Sequence, residues 1–346
     1  MTRSIASGLV HVRTPTYRRP QELRRCLDSL RAQTWSNWIC DVYDDDPDHA
    51  GEAVCRALDD PRIRYTANKR QLYASKNIDH CFTRANPHGA QYFCVLEDDN
   101  FLLDTFLAEN IALCTRHGVD LVLRNQLVEH ASGTSAARLG DTGVLDDLYR
   151  EGLYDPATFS LSLLMGIGVS NGGLFWTSAT RSRLEISYPC TATLQEYLRT
   201  FSIREPIYVA MTPLAVWADN AVHTTRNAGL ASGYYRRELD LKKSVQRLRR
   251  QTWQESSATL RRDYLDTPRF AASGNVRAEG LVRSLIWHRA GAPLSIGRRL
   301  WCLWRGALVA TLGRADPMLH EFIASRVGPP PSLGKAPIAS EVVTGG

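Results

Sequence analysis

The sequence predicts an α/β fold, a mostly parallel sheet flanked by helices, followed by a basic helical extension. Three observations lead there. Over the first 130 residues short apolar runs alternate with segments of helical periodicity, the pattern of repeated strand–helix units. From about Tyr234 to Leu265 the chain turns strongly helical and basic. Charge divides the same way: residues 1–231 hold 23 basic and 27 acidic side chains, residues 232–346 hold 19 and 9. The formal charge of +6 therefore conceals −4 in front and +10 behind, which suggests two different tasks. The expected division is an α/β domain over 1–230, a basic helical region over 231–327, and a disordered Pro/Gly-rich tail over 328–346.

Each element has a local reason. Leu9 to Val12 reads as the first strand and runs into Thr14-Pro15-Thr16-Tyr17. Pro20 then opens a helix where proline is favoured, and Leu23, Cys26, Leu27 and Leu30 fall at i, i+3, i+4 and i+7. Trp38 to Tyr43 and Arg62 to Tyr65 read as the second and third strands. A helix carries Tyr73, Asn77, Ile78, Cys81 and Phe82 on one side, and Gln91 to Leu96 is the most strand-like run in the chain. A helix from about Leu103 to His117 and a strand from Val119 to Leu123 follow. Further on, Asn171-Gly172-Gly173 punctuates before Leu174-Phe175-Trp176, Thr193 to Phe201 reads as helix, and Ile207 to Ala210 and Leu214 to Trp217 as a pair of short strands. The last apolar-basic stretch is Leu300 to Leu312.

Composition closes several doors. No run approaches the roughly 18 to 20 apolar residues that span a bilayer, and the first residues are too polar for a secretory core, so a cytoplasmic location is expected. Eight cysteines (26, 40, 55, 81, 94, 114, 190, 302) show no paired spacing and read as small buried hydrophobes in a reducing compartment. Arg outnumbers Lys 37 to 5, as in a GC-rich bacterial genome.

Two acidic clusters follow predicted strands: Asp44-Asp45-Asp46 after Val42-Tyr43, and Glu97-Asp98-Asp99-Asn100 after Val95-Leu96. In open α/β sheets ligands bind at the carboxyl ends of strands, and carboxylates crowded there call for a cation. A hard divalent ion, Mg²⁺ or Mn²⁺, suits oxygen ligands and also binds phosphates. The bland alternative is that the aspartates cap the turns and helices that follow.

Thr14-Pro15-Thr16-Tyr17-Arg18-Arg19-Pro20, Asp44-Asp45 and Glu97-Asp98-Asp99-Asn100 occur in the order and spacing that resembles family 2 glycosyltransferases of the GT-A type, over roughly residues 8–225. The resemblance implies a nucleotide-diphospho-sugar donor, a divalent metal, a hydroxyl acceptor and inversion at the anomeric carbon. It implies that Thr14, Pro15 and Thr16 line the nucleotide pocket, that Asp44 or Asp45 contacts base or ribose, that Asp99 binds the metal and that Asp98 binds the donor's ribose or sugar. Arg70 and Lys76 stand where the family often places a basic group, with solvated helix-start charges as the plain alternative. Asp46-Pro47 replaces the family's usual Gly-Ser, which leaves open which aspartate faces the nucleotide. Glu196 resembles the family's base, Asn171, Gly172 and Gly173 the segment between donor and acceptor, and His223 with Arg226 the group that closes over the diphosphate, His223 as a metal ligand. Glu196 also suits a surface ion pair with Arg199 or Arg204, the glycines a simple turn, and His223 a structural histidine. His11 reads as a core histidine.

A sugar nucleotidyltransferase fits less well, since the first loop lacks glycines, and a non-catalytic nucleotide-sugar-binding scaffold would not need the metal aspartates. The basic region suits packing on the front domain, contact with a second subunit, or a membrane surface through Arg298-Arg299-Leu300-Trp301-Cys302-Leu303-Trp304-Arg305. No nucleic-acid module accompanies the charge, so nucleic acid is not an expected partner.

Overall fold

The computed structural model describes residues 8–166, 168–219, 234–288 and 294–325. The front part runs β1 (Val10–Thr16), α1 (Pro20–Arg31), β2 (Trp38–Asp44), α2 (Ala50–Leu58), β3 (Ile63–Ala67), α3 (Tyr73–His80), β4 (Tyr92–Val95), β5 (Phe101–Leu102), α4 (Phe106–His117) and β6 (Leu121–His130). Then come β7 (Arg138–Gly143), β8 (Gly152–Tyr154), α5 (Pro156–Ser160) with a 3-10 turn at Leu161–Leu164, β9 (Leu174–Thr177), α6 (Ala192–Ser202) and β10 (Ile207–Asp219). The helical region holds α7 (Tyr234–Glu255), α8 (Ala258–Asp263), α9 (Gly274–Arg283), α10 (Ile296–Leu312) and α11 (Leu319–Ser325).

The sheet order is β3-β2-β1-β4-β9-β6-β10-β5, with β7 on β6 and β8 on β10. β1 pairs in parallel with both β2 and β4, and β2 with β3. All seven residues of β1 are buried, as a central parallel strand covered on both faces requires. On one face Val10 and Val12 pack with the apolar stripe of α1 predicted from its spacing. The expected pair of strands at 207–217 is one strand, β10. It follows β6 throughout, and its register shifts between Ala210 and Ala215, so the irregular middle is a bulge within one strand.

The helical region shares its core with the sheet domain. Val245 and Leu248 of α7 pack with Leu163, Leu198 and Phe201, and Trp253, Tyr264 and Phe270 pack with Tyr149, Tyr154 and Phe159. A Cβ on Gly280 would come within 1.8 Å of the Leu164 carbonyl oxygen, so α9 meets the 3-10 turn backbone to backbone. All eight cysteines are free and seven are buried. No described helix is long and apolar enough to cross a membrane.

Candidate active site

The chain leaves β1 for β2 on one side and returns to β4 on the other, so the switch in strand order lies between β1 and β4. The Thr14–Pro20 segment and the Glu97–Asn100 segment meet there. Thr16 Oγ1 donates to Asp98 Oδ2 at 2.8 Å, and the Tyr17 N–H donates to the same oxygen at 3.2 Å. Arg18 sits in the left-handed region at φ 55°, a conformation uncommon for a side-chain-bearing residue. After that turn, the Arg19 guanidinium lies 2.5 Å from Asp99 Oδ2 and 3.3 Å from Asp98 Oδ1.

Burial sets the electrostatics. Desolvation, then the neighbouring Asp99 charge, pushes the Glu97 carboxyl up to about 7. The same two causes, in that order, raise Asp98, against the pull of Arg19. Burial works against the Arg19 charge, but Asp98 and Asp99 outweigh it and raise its pKa. The Arg19 guanidinium thus bridges Asp98 and Asp99, while Glu97 beside them meets side-chain amides. The set is all hard oxygen and under-neutralised, which is the chemistry a divalent cation fits.

Behind this cluster runs a buried polar relay. Glu97 accepts from the Asn100 side chain at 3.1 Å and from Asn171 Nδ2 at 3.2 Å. Asn171 Oδ1 accepts from Arg199 of α6 at 2.6 Å, and Arg199 pairs with Asp79 of α3 at 2.7 Å. Arg199 is fully buried, with its guanidinium 3.8 Å from the Phe82 ring centroid. Asn100 Oδ1 accepts from the Ala218 N–H, tying the end of β10 to the same place. Sequence reasoning missed Arg19, Asp79 and Arg199 as members of the site. Arg19 stood within the quoted motif and Arg199 beside Glu196 as a possible ion-pair partner, whereas Asp79 gave no local signal.

The other acidic cluster is organised differently. Asp44 accepts from the backbone N–H groups of Asp46 and Gly51 and from the Tyr65 hydroxyl. Asp45 accepts from Asn68 and from the Leu72 and Tyr73 N–H groups at 2.6 Å each, holding the start of α3. Asp46 accepts from Arg18 and from the Asp48 and Ala50 N–H groups. Each carboxylate is engaged largely by backbone donors that helices leave unpaired at their starts.

The sequence profile of glycosyl transferase family 2 matches residues 12–151, a span that contains both acidic clusters and the first loop. The chain carries a family 2 glycosyltransferase domain. No curated protein matches the chain in sequence. Among solved structures, S. aureus TarS 1–349 superposes with a TM-score of 0.54 at 10% identity, covering 92% of this chain and 90% of that one. The same fragment in complex with UDP gives 0.51 at 12% identity, covering 92% and 87%. S. aureus TarS itself gives 0.50 at 12% identity and covers 86% of this chain, which spans only 52% of TarS. These likenesses establish the GT-A fold.

The remaining expected residues fall in several places. Thr14 is fully buried with its hydroxyl 3.5 Å from Cys40 Sγ, and Pro15 is buried beside it in β1. Arg70 and Lys76 are exposed at the start of α3. A Cβ on Gly173 would lie 2.6 Å from the Arg124 carbonyl, so this glycine permits close approach to β6; one on Gly172 would lie 3.0 Å from Gln126. Glu196 is half-buried on α6, one turn before Arg199, whose charge it helps support. His223 and Arg226 lie outside the described residues.

His11, Asp41 and His88 bring one ligand-type atom each within 4.8 Å of one another. Both imidazoles bond Asp41 Oδ2 through Nε2, at 2.8 and 2.9 Å. The Arg13 Nε–H points at His11 Nδ1 at 3.4 Å, so Nδ1 accepts and Nε2 carries the proton. No lone pair remains on Nε2 for a metal. Burial opposes the Asp41 charge, but the two histidine bonds hold its pKa down at about 2. His11 is the core histidine the sequence suggested.

Proposed function

We propose that this glycosyltransferase moves a sugar, with inversion at the anomeric carbon, from a nucleotide-diphospho-sugar to an acceptor hydroxyl. The observation that carries the reading is the under-neutralised Glu97–Asp98–Asp99 cluster at the strand-order switch. Asp99 would hold Mn²⁺ or Mg²⁺ and Asp98 the donor's ribose or sugar. When bound, the ion offsets charge that develops on the leaving diphosphate. Asp45, by holding the start of α3, keeps Arg70 and Lys76 on the nucleotide side. His223 and Arg226 follow β10, whose end Asn100 ties to the acidic cluster, and they would close over the diphosphate.

Inversion needs a base on the face opposite the leaving group. Glu196 is that base in this reading, supported by its place on α6, the helix that Arg199 and Asn171 link to Glu97. Glu196 takes the acceptor proton as the acceptor oxygen bonds to the anomeric carbon and the nucleotide diphosphate departs.

UDP is the first nucleotide to try, because the TarS fragment of similar fold is described with UDP and with UDP-GlcNAc. In calorimetry with Mn²⁺, Asp99→Ala should abolish nucleotide binding; binding at wild-type affinity would sink the metal assignment. Glu196→Gln should keep donor affinity and lose roughly 10²- to 10⁴-fold in turnover. Near-normal turnover would place the base elsewhere.

A further inference from the structure

The basic region encloses a cavity of about 800 Å³ between α6, α7, α9 and α10. Arg237, Lys242, Arg249, Arg283 and Arg305 line it, against one carboxylate among the described lining residues, Glu238. Glu238 is already paired with Lys242 at 3.0 Å. Arg249 donates to the Leu163 carbonyl at 2.6 Å, and burial lowers its pKa. Ser284 lies in the wall, 1% exposed, with no hydrogen-bond partner for its hydroxyl.

The cavity is built rather than left over. The Gln246 side-chain amide donates to the carbonyls of Arg283 and Gly306, at 2.9 and 3.0 Å, pinning α7 to both α9 and α10. A Cβ on Gly306 would stand 2.5 Å from the Arg283 carbonyl, so these helices touch backbone to backbone. At the mouth the guanidiniums of Arg283, Arg298 and Arg305 lie 5.1, 4.4 and 5.0 Å from the Trp301 ring centroid, and Glu279 pairs with the first two. The fourth wall is the first turns of α6, with Thr191, Thr193 and Tyr197, and Tyr197 is the neighbour of Glu196.

We propose that this cavity binds phosphate groups and so selects a phosphate-bearing acceptor. Guanidinium forks match phosphate oxygens in pairs, and five cations around one cavity suit a ligand with more than one negative charge. The acceptor role rests on the reading of Glu196 as the base; the phosphate site does not.

The probe is tripolyphosphate, titrated by calorimetry into the full chain in EDTA so that no metal recruits it to the carboxylate cluster. Wild type should bind it saturably, and Arg237→Gln/Arg305→Gln, two exposed positions, should bind it at least tenfold more weakly. A second arm uses sedimentation with phosphatidylglycerol or phosphatidylcholine vesicles. Loss of tripolyphosphate binding in the double variant identifies a soluble or polymeric phosphate. Binding confined to phosphatidylglycerol vesicles, and lost in the same variant, identifies a lipid headgroup. No binding in either arm, or binding that the double variant leaves unchanged, overturns the site. UDP and Mn²⁺ binding to the double variant is the control. If wild type also fails to bind UDP, the donor reading falls while the phosphate result stands.

Discussion

The two acidic clusters look alike in sequence and are opposites in structure. Asp44 and Asp46 receive backbone N–H donors from the turn and helix that follow, and Asp45 receives them from the start of α3. Glu97, Asp98 and Asp99 are crowded at a buried strand end, where desolvation and mutual repulsion raise Glu97 and Asp98. The first arrangement stabilises the fold, and the second stores an unmet demand for positive charge. What separates the two runs is crowding and burial of like charges rather than the presence of donors.

The sharpest way to break that contrast is to remove the one guanidinium shared by Asp98 and Asp99. Arg19→Gln should lower stability by about 3 kcal/mol at pH 8, the scale for leaving a partly buried ion pair uncompensated, and far less at pH 5. Urea unfolding at the two pH values reads this directly. Equal losses at both would mean that Arg19 acts through packing.

Asp45→Ala tests the other cluster. It removes the acceptor for the Leu72 and Tyr73 N–H groups and should cost about 2 kcal/mol in the same assay at pH 7. A loss below a few tenths would show that water replaces the cap.

The gentlest test uses pH alone. Glu97 is raised from 4.5 to about 7 in the folded protein, so between those values the folded state holds more protons than the unfolded one. The stability this gives is fully present below pH 4.5 and is lost as pH rises through 7. Glu97 alone contributes a slope approaching about 1.4 kcal/mol per pH unit, Asp98 adds to it, and saturating Mn²⁺ should flatten it. A slope that Mn²⁺ leaves untouched would separate the cluster from metal binding.

Much of the front half was legible because its signals are local. The stripe Leu23, Cys26, Leu27, Leu30 and the apolar run at Gln91–Leu96 gave α1 and β4 within a few residues. The apolar pattern of β10 reads as two short strands because Thr212 and Pro213 interrupt it, whereas pairing to β6 on both sides of the bulge holds it as one strand. Short β5, β7 and β8 gave no signal, since two to six residues carry too little periodicity.

The sequence by itself determined the α/β class, the family-like motifs, the residues of both acidic clusters and the charge asymmetry, because these reside in neighbouring residues. Only the tertiary structure decided which acids are capped and which are crowded, because donors such as Arg19 and Asn171 reach Asp98 and Glu97 across 79 and 74 residues of chain. It also turned the basic surplus of the last third from a composition into a cavity. Arg249 and Ser284 acquire meaning only when α7 and α9 enclose them and leave the Ser284 hydroxyl without a partner.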